Sequence, residues 1–198
     1  MEQEHFLHKI DNEQTAQLPA IEFRGEIRII DREELVEEAC RDLAASPIIG
    51  FDTETRPSFK AGVSYRVSLL QLSTKSRCYL FRLNKIALSK PILRLLENPL
   101  LPKIGADVAG DLRSLRALRH FRDGGFIDLQ TIASEWGIEE KSLRKLSAIV
   151  LGRRVSKAQR LSNWEGSTLT DKQQLYAATD AWVCIRIYEK LLHTPKIK

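Results

Sequence analysis

The stretch Ile48-Ile49-Gly50-Phe51-Asp52-Thr53-Glu54-Thr55 constrains this chain more than any other. Its apolar half reads as a buried strand, and the strand ends in two carboxylates one residue apart. Alternation along a strand puts Asp52 and Glu54 on one face and turns Thr53 to the other. Two like charges held that close repel, and burying them unpaired is costly. A divalent cation makes the arrangement favourable, because hard oxygen ligands suit magnesium or manganese. A solvated pair at a strand end is the other reading these residues allow.

The flanking pattern places this strand in a layered domain. Residues 1–24 lack a clear period, hold several polar residues and Pro19, and read as an N-terminal extension. Glu26–Ile30 predicts a strand, and Asp31 with Glu34 predicts a capped helix from Glu33 to Ala44. Beyond the central strand, residues 56–63 form a loop with Pro57 and Gly62. Ser64–Ser73 and Cys78–Leu83 then read as strands joined by a turn. Short connections between them predict an antiparallel meander.

The second half changes period. Helices are expected over 89–96, 111–120, from Asp128 to Trp136, and over 142–151, with a brief strand at Lys103–Gly105. Thr170 caps a final helix to Leu192. The order argues for one α/β domain of residues 25–198, a mixed sheet combining an antiparallel meander with parallel strands and flanked by helices. At 198 residues the chain supports one such domain with a sizeable core.

Charge is unevenly placed. Residues 1–26 carry two basic and six acidic side chains, a net of −4, and the remainder carries 29 basic against 20 acidic, a net of +9. A basic body suggests a polyanionic partner such as nucleic acid. No apolar run approaches the ~20 residues of a membrane span, and the acidic N-terminus lacks the order of a secretory signal. Cys40, Cys78 and Cys184 have neither disulfide nor zinc-ligand spacing. Free thiols in a reducing compartment, hence a cytoplasmic protein, are the expectation.

Two further segments carry carboxylates. Asp111 follows Gly105-Ala106-Asp107-Val108-Ala109-Gly110, where small residues let a helix N-terminus approach the sheet; either aspartate there reads as a helix cap or a ligand. In the last helix Tyr176 and Asp180 are four apart, stacked on one face, with Ala177, Ala178 and Ala181 keeping the surroundings small. That spacing fits a hydrogen-bonded pair or a site.

Together, Phe51-Asp52-Thr53-Glu54-Thr55, Gly105 to Asp111 and Tyr176 to Asp180 resemble the three ordered motifs of the DEDD 3′–5′ exonuclease family. Leu161-Ser162-Asn163-Trp164, followed by Leu169-Thr170 and Tyr-Ala-Ala-Thr-Asp-Ala, is similar to the ribonuclease D and Werner syndrome exonuclease members. Tyr176, four before Asp180, marks the Tyr branch; the His branch would place its residue at Leu175. Glu26 to Leu192 is covered. Only six residues follow, so a stand-alone module without further helical domains is the expectation.

The resemblance implies a ribonuclease H-like fold and a hydrolase releasing nucleoside monophosphates from the 3′ end of single-stranded DNA or RNA. It implies two divalent cations, Mg2+ or Mn2+, held by Asp52, Glu54, Asp111 and Asp180, with Tyr176 orienting the attacking water and no small-molecule cofactor. For the strand, Arg153, Arg154, Lys157, Arg160 and Trp164 are candidates near the last motif, and Phe59 a candidate for base stacking. Arg113, Arg116, Arg119 and Arg122 read as a solvated helix face. A binding module that keeps the fold without hydrolysis is the alternative. A dinucleotide-binding protein is disfavoured, since no Gly-x-Gly-x-x-Gly follows a strand.

Overall fold

Period-two alternation in the first half and small-residue spacing in the last helix meet in one sheet. In the computed structural model, which describes residues 5–197, six strands lie in the order β1-β4-β3-β2-β5-β6. They are β1 (Glu26–Ile30), β2 (Ile49–Thr55), β3 (Val67–Ser73), β4 (Arg77–Phe81), β5 (Lys103–Gly105) and β6 (Phe126–Asp128). The strands β2, β3 and β4 form the expected antiparallel meander, and β5 and β6 extend it in parallel from β2. The first strand joins the far edge parallel to β4. The mixed sheet flanked by helices is the architecture expected.

Alternating strand residues divide the core into two layers. Phe51, Leu70, Leu72, Tyr79 and Phe81 pack under α2 (Val36–Ala44), α3 (Lys90–Glu97) and α4 (Val108–Arg116). Leu69, Cys78 and Leu80 face the opposite way, toward Ala177 and Ala178 of the long last helix, Asp171–Leu192. That helix continues over Ile104, Leu129 and Leu146 into the second half of the same layer. Thr170 caps it, accepting from Gln173 N while the Gln173 side chain returns to the cap backbone. Two shorter helices, Leu129–Ile132 (α5) and Leu143–Leu151 (α6), complete this side beside the long last helix, α7 (Asp171–Leu192).

Several expectations shift. Glu33–Leu35 is a 3-10 turn before α2, and the predicted capping box is absent. Its acids serve tertiary contacts instead: Glu33 accepts from Ala87 N at 2.6 Å and Asp31 lies 3.6 Å from Lys85. The helix expected from Asp111 begins at Val108 and stops at Arg116, and Phe126–Asp128 pairs as a strand. Met1–Glu4 of the predicted extension, and Lys198, lie outside the described residues. The rest of the extension contains α1 (Asn12–Gln17), closed by an Asp11–Gln14 capping box. Ile10, Thr15 and Phe23 are buried against the domain. No helix among the described residues is long and apolar enough to cross a membrane.

Candidate active site

The central strand β2 is seated against α7 by a missing side chain. A Cβ on Gly50 would lie 1.9 Å from the Ala181 carbonyl oxygen, so only glycine lets the helix settle at this height. Asp180 precedes Ala181, and Asp52 follows Gly50 on the same strand face, so the close approach sets helix and strand carboxylates side by side. One ligand oxygen from each of Asp52, Glu54 and Asp180 lies within 4.8 Å of the others. Asp180 is buried, and Asp52 and Glu54 are half-buried.

The electrostatics of this group are unfavourable without a cation. Burial, then Asp111, Glu54 and Asp180, push the Asp52 carboxyl well above its usual range. Burial, with Asp180 and Asp111, raises Glu54 to about 9. Burial raises Asp180 to about 7 despite the opposing hydrogen bond from Tyr176. Among the described residues no lysine or arginine offsets these charges. Convergent hard oxygens, half-buried and without a cationic side chain, fit a divalent cation.

Asp111 reaches the group from the first turn of α4, on the far side of β2. Thr53, pointing away from Asp52, donates to its Oδ1 at 2.6 Å and so holds it beside the three converging acids. Burial raises Asp111 to about 7, partly opposed by Thr53, with Asp107 and Asp128 adding to the rise. Asp107 sits at the start of α4 with φ 62° and no side-chain cap bond, exposed and outside the converging three.

Sequence reasoning passed over Asp128. Its Oδ2 accepts from Val108 N at 3.0 Å and its Oδ1 from Gln130 N at 2.8 Å, so one carboxylate anchors the starts of both α4 and α5. The signal was present as an aspartate between an apolar strand and the Leu129 helix.

Tyr176 lies one turn before Asp180, buried, with its ring 6.0 Å from that of Trp164. Burial and the neighbouring Asp180, Glu54 and Asp52 hold the phenol protonated far above its ordinary value. It can therefore donate a hydrogen bond at neutral pH and cannot act as a base.

The candidate strand-binding residues separate sharply. Phe59 is 82% exposed and rims a cleft of about 290 Å³ with Arg56, Lys60, Tyr65, Leu161 and Asn163. The Arg56 guanidinium stands 4.6 Å over the Tyr65 ring and bonds Glu165 at 3.2 Å. Arg153, Lys157 and Arg160 are exposed. Arg154 is half-buried and tied to the extension: its Nε donates to Leu18 O, and its backbone pairs with Pro19 and Ile21. Trp164 is fully buried under Leu69, Leu80 and Tyr176, so its ring packs the core and does not contact a strand. Of the expected arginine stripe, Arg116 at the end of α4 pairs with Asp123, and Arg119, beyond the helix, donates to Leu88 O, in keeping with a surface role.

Residues 27–194 match the family model described as 3′–5′ exonuclease. The mouse bifunctional 3′–5′ exonuclease/ATP-dependent helicase WRN is 37% identical over 186 residues, 88% of this chain and 13% of that protein. The human exonuclease mut-7 homolog is 31% identical over 183 residues, 77% of this chain and 21% of that protein. This chain thus spans about a fifth or less of either relative's length. Among solved structures, the Aedes aegypti Nibbler EXO domain aligns with TM-score 0.76 at 23% identity, covering 88% of this chain and 94% of that one. Escherichia coli RNase D aligns with TM-score 0.76 at 22% identity, covering 85% and 44%. Both share the fold.

Proposed function

The chain belongs to the 3′–5′ exonuclease family, and on that premise we propose that it hydrolyses the terminal phosphodiester at the 3′ end of single-stranded nucleic acid, releasing nucleoside monophosphates. The observation that carries this reading is the convergence of Asp52, Glu54 and Asp180 oxygens within 4.8 Å of one another.

In this reading Asp52, Glu54 and Asp180, with Asp111 beside them, would hold the divalent cations. Bound Mg2+ or Mn2+ supplies charge neutralisation at the phosphodiester and lowers the pKa of the attacking water. The protein's own groups do the rest. Tyr176, held protonated beside Asp180, orients the nucleophilic water. Thr53 keeps Asp111 at its station through the bond at 2.6 Å. Phe59 and Leu161, both exposed at the rim of the cleft, offer an apolar surface to terminal bases. Arg153, Lys157 and Arg160, all exposed, are the candidates for contacting the phosphates of the strand. A site that chiefly grips phosphates fits either a DNA or an RNA strand. The three cysteines, free and buried, support a reducing compartment such as the cytoplasm.

The test follows 3′-labelled DNA and RNA single strands with Mg2+ and with Mn2+. Wild-type protein releases labelled mononucleotides, and Asp52→Ala and Asp180→Ala stop release while circular dichroism stays unchanged. Full activity in either variant, or in excess chelator, refutes the proposal. Strand binding without hydrolysis, together with no calorimetric Mn2+ signal, would establish a non-catalytic binding module instead.

A further inference from the structure

Gln71 stands directly across the antiparallel ladder from Asp52 and is fully buried. Residues opposed in such a ladder point to one face, with Cβ atoms about 4.5–5.5 Å apart. The Gln71 side chain therefore emerges on the face that carries Asp52 and Glu54, beneath α7. Neither its amide nitrogen nor its amide oxygen has a hydrogen-bond partner.

In the same layer Trp164 Nε1 also lacks a partner, but it lies on α7's Tyr176 side and not across the ladder from Asp52, and several other polar groups are engaged. Ser73 donates to Thr74 O, Thr179 donates to Leu175 O and accepts from Phe23 N, and Cys184 donates to Asp180 O. An unsatisfied buried amide costs roughly 1–3 kcal/mol, whereas a leucine of similar shape, as at the neighbouring Leu69 and Leu80, would carry no such penalty. That the position next to the presumptive cation ligand is an amide, in a strand otherwise filled by valine, leucine and serine, points to a role outside packing.

We propose that Gln71 is a positioning residue for Asp52: its amide N–H donates to the Asp52 carboxylate through one buried water and fixes the carboxylate's orientation toward the cation. The inference rests on the cation-binding reading above and concerns a residue that touches neither substrate nor metal. An outer partner of this kind orients a ligand group and raises its affinity for the metal.

The experiment measures Mn2+ binding by calorimetry in full-length Gln71→Leu and Gln71→Met, beside the urea midpoint of each metal-free protein. A positioning role predicts Mn2+ affinity lower by about 10–100-fold, the usual range for outer partners of metal ligands. Metal-free stability should be equal or higher, because the unpaired amide is gone. Wild-type affinity in either folded variant overturns the proposal. Affinity lost only in step with stability also overturns it, in favour of packing.

Should both variants fail to fold, the wild-type chain carries the test. The assigned side-chain amide resonances of Gln71 should move as Mg2+ is added, and unchanged resonances at saturation overturn the assignment. A wild-type chain that binds no Mn2+ refutes the metal-site reading as a whole. Wild-type binding with indifferent variants refutes the role of Gln71 alone.

Discussion

Gly50→Ala tests whether the seat of α7 on β2 builds the site. The new Cβ would fall 1.9 Å from Ala181 O and 2.7 Å from Ala181 C, where ordinary contact begins at 3.4 Å. The obstacle is helix backbone and cannot rotate aside, so strand and helix must part by about 1.5 Å at this point. Overpacking of this kind costs about 1–3 kcal/mol, against the roughly 0.4–1 kcal/mol an alanine regains through the unfolded chain. A backbone obstacle belongs at the upper end, leaving a net loss of about 2 kcal/mol and a Tm lower by about 4–8 °C for a domain of this size. Asp180 adjoins Ala181 and moves with it. Ligand oxygens around Mg2+ must sit at about 2.0–2.1 Å in near-octahedral array, so such an opening breaks the set. A misplacement near 1 Å can cost about 100-fold in rate. Urea unfolding of the metal-free variant and Mn2+ calorimetry report the two effects separately. Stability within about 0.5 kcal/mol of wild type, the ordinary surface range, would refute the steric argument. A destabilised variant with unchanged Mn2+ affinity would refute the link from helix seat to site.

Three further outcomes follow from the same geometry. Asp111 and Asp180 rise from 3.8 to about 7, and Glu54 from 4.5 to about 9. The folded metal-free protein therefore keeps protons that the unfolded chain gives up, and this stability is full below the unfolded values and lost as pH climbs through 7 and then 9. Thermal melts should fall between pH 5 and 9 without metal, with Mn2+ affinity rising over the same range; a flat profile in both would contradict the assignment. Thr53→Val removes the donor to Asp111 and should lower activity by about 10-fold or more, with Thr53→Ser restoring it; equal activity in both would show that the bond does not hold the acid in place. Phe59→Ala should leave stability within about 0.5 kcal/mol yet weaken single-strand binding by about 1–3 kcal/mol per stacked base, and unchanged fluorescence-anisotropy titrations would exclude stacking there.

What could be read from the sequence followed the range of the interaction concerned. Asp52 with Glu54, and Tyr176 with Asp180, were legible because strand alternation and the helical turn are local rules. The cap at Thr170 was legible for the same reason. Asp111 stayed ambiguous between cap and ligand because its station depends on Thr53, 58 residues away. Asp31 and Glu34 had cap spacing, but Asp31 lies near Lys85, and Glu33 beside them is used by Ala87, so tertiary contacts outweighed the local motif. The parallel edge position of β1 and the three-residue β6 are set by pairing with distant strands. Trp164 misled because an irregular segment such as Leu161-Ser162-Asn163-Trp164 has no period to reveal which side faces inward; Leu69, Leu80 and Tyr176 decide that.

The packing and the chemistry of the site pull on the same few residues in opposite directions. Gly50 and the alanines of α7 close the helix onto the sheet and bury apolar surface efficiently, with Ala177, Ala178 and Ala181 all fully covered. That same closeness forces Asp180 against Asp52 and Glu54, raising the free energy of the ionised fold. Replacing one acid would relieve the repulsion while leaving the packing intact, so stability alone does not account for three converging carboxylates. A bound divalent cation would reconcile the two by turning mutual repulsion into shared attraction. Cation binding at this point is then also fold stabilisation, amounting to about 2.7 kcal/mol when free cation stands at 100 times its dissociation constant. The tight seat at Gly50 acts as the mechanical element through which site and fold share that energy.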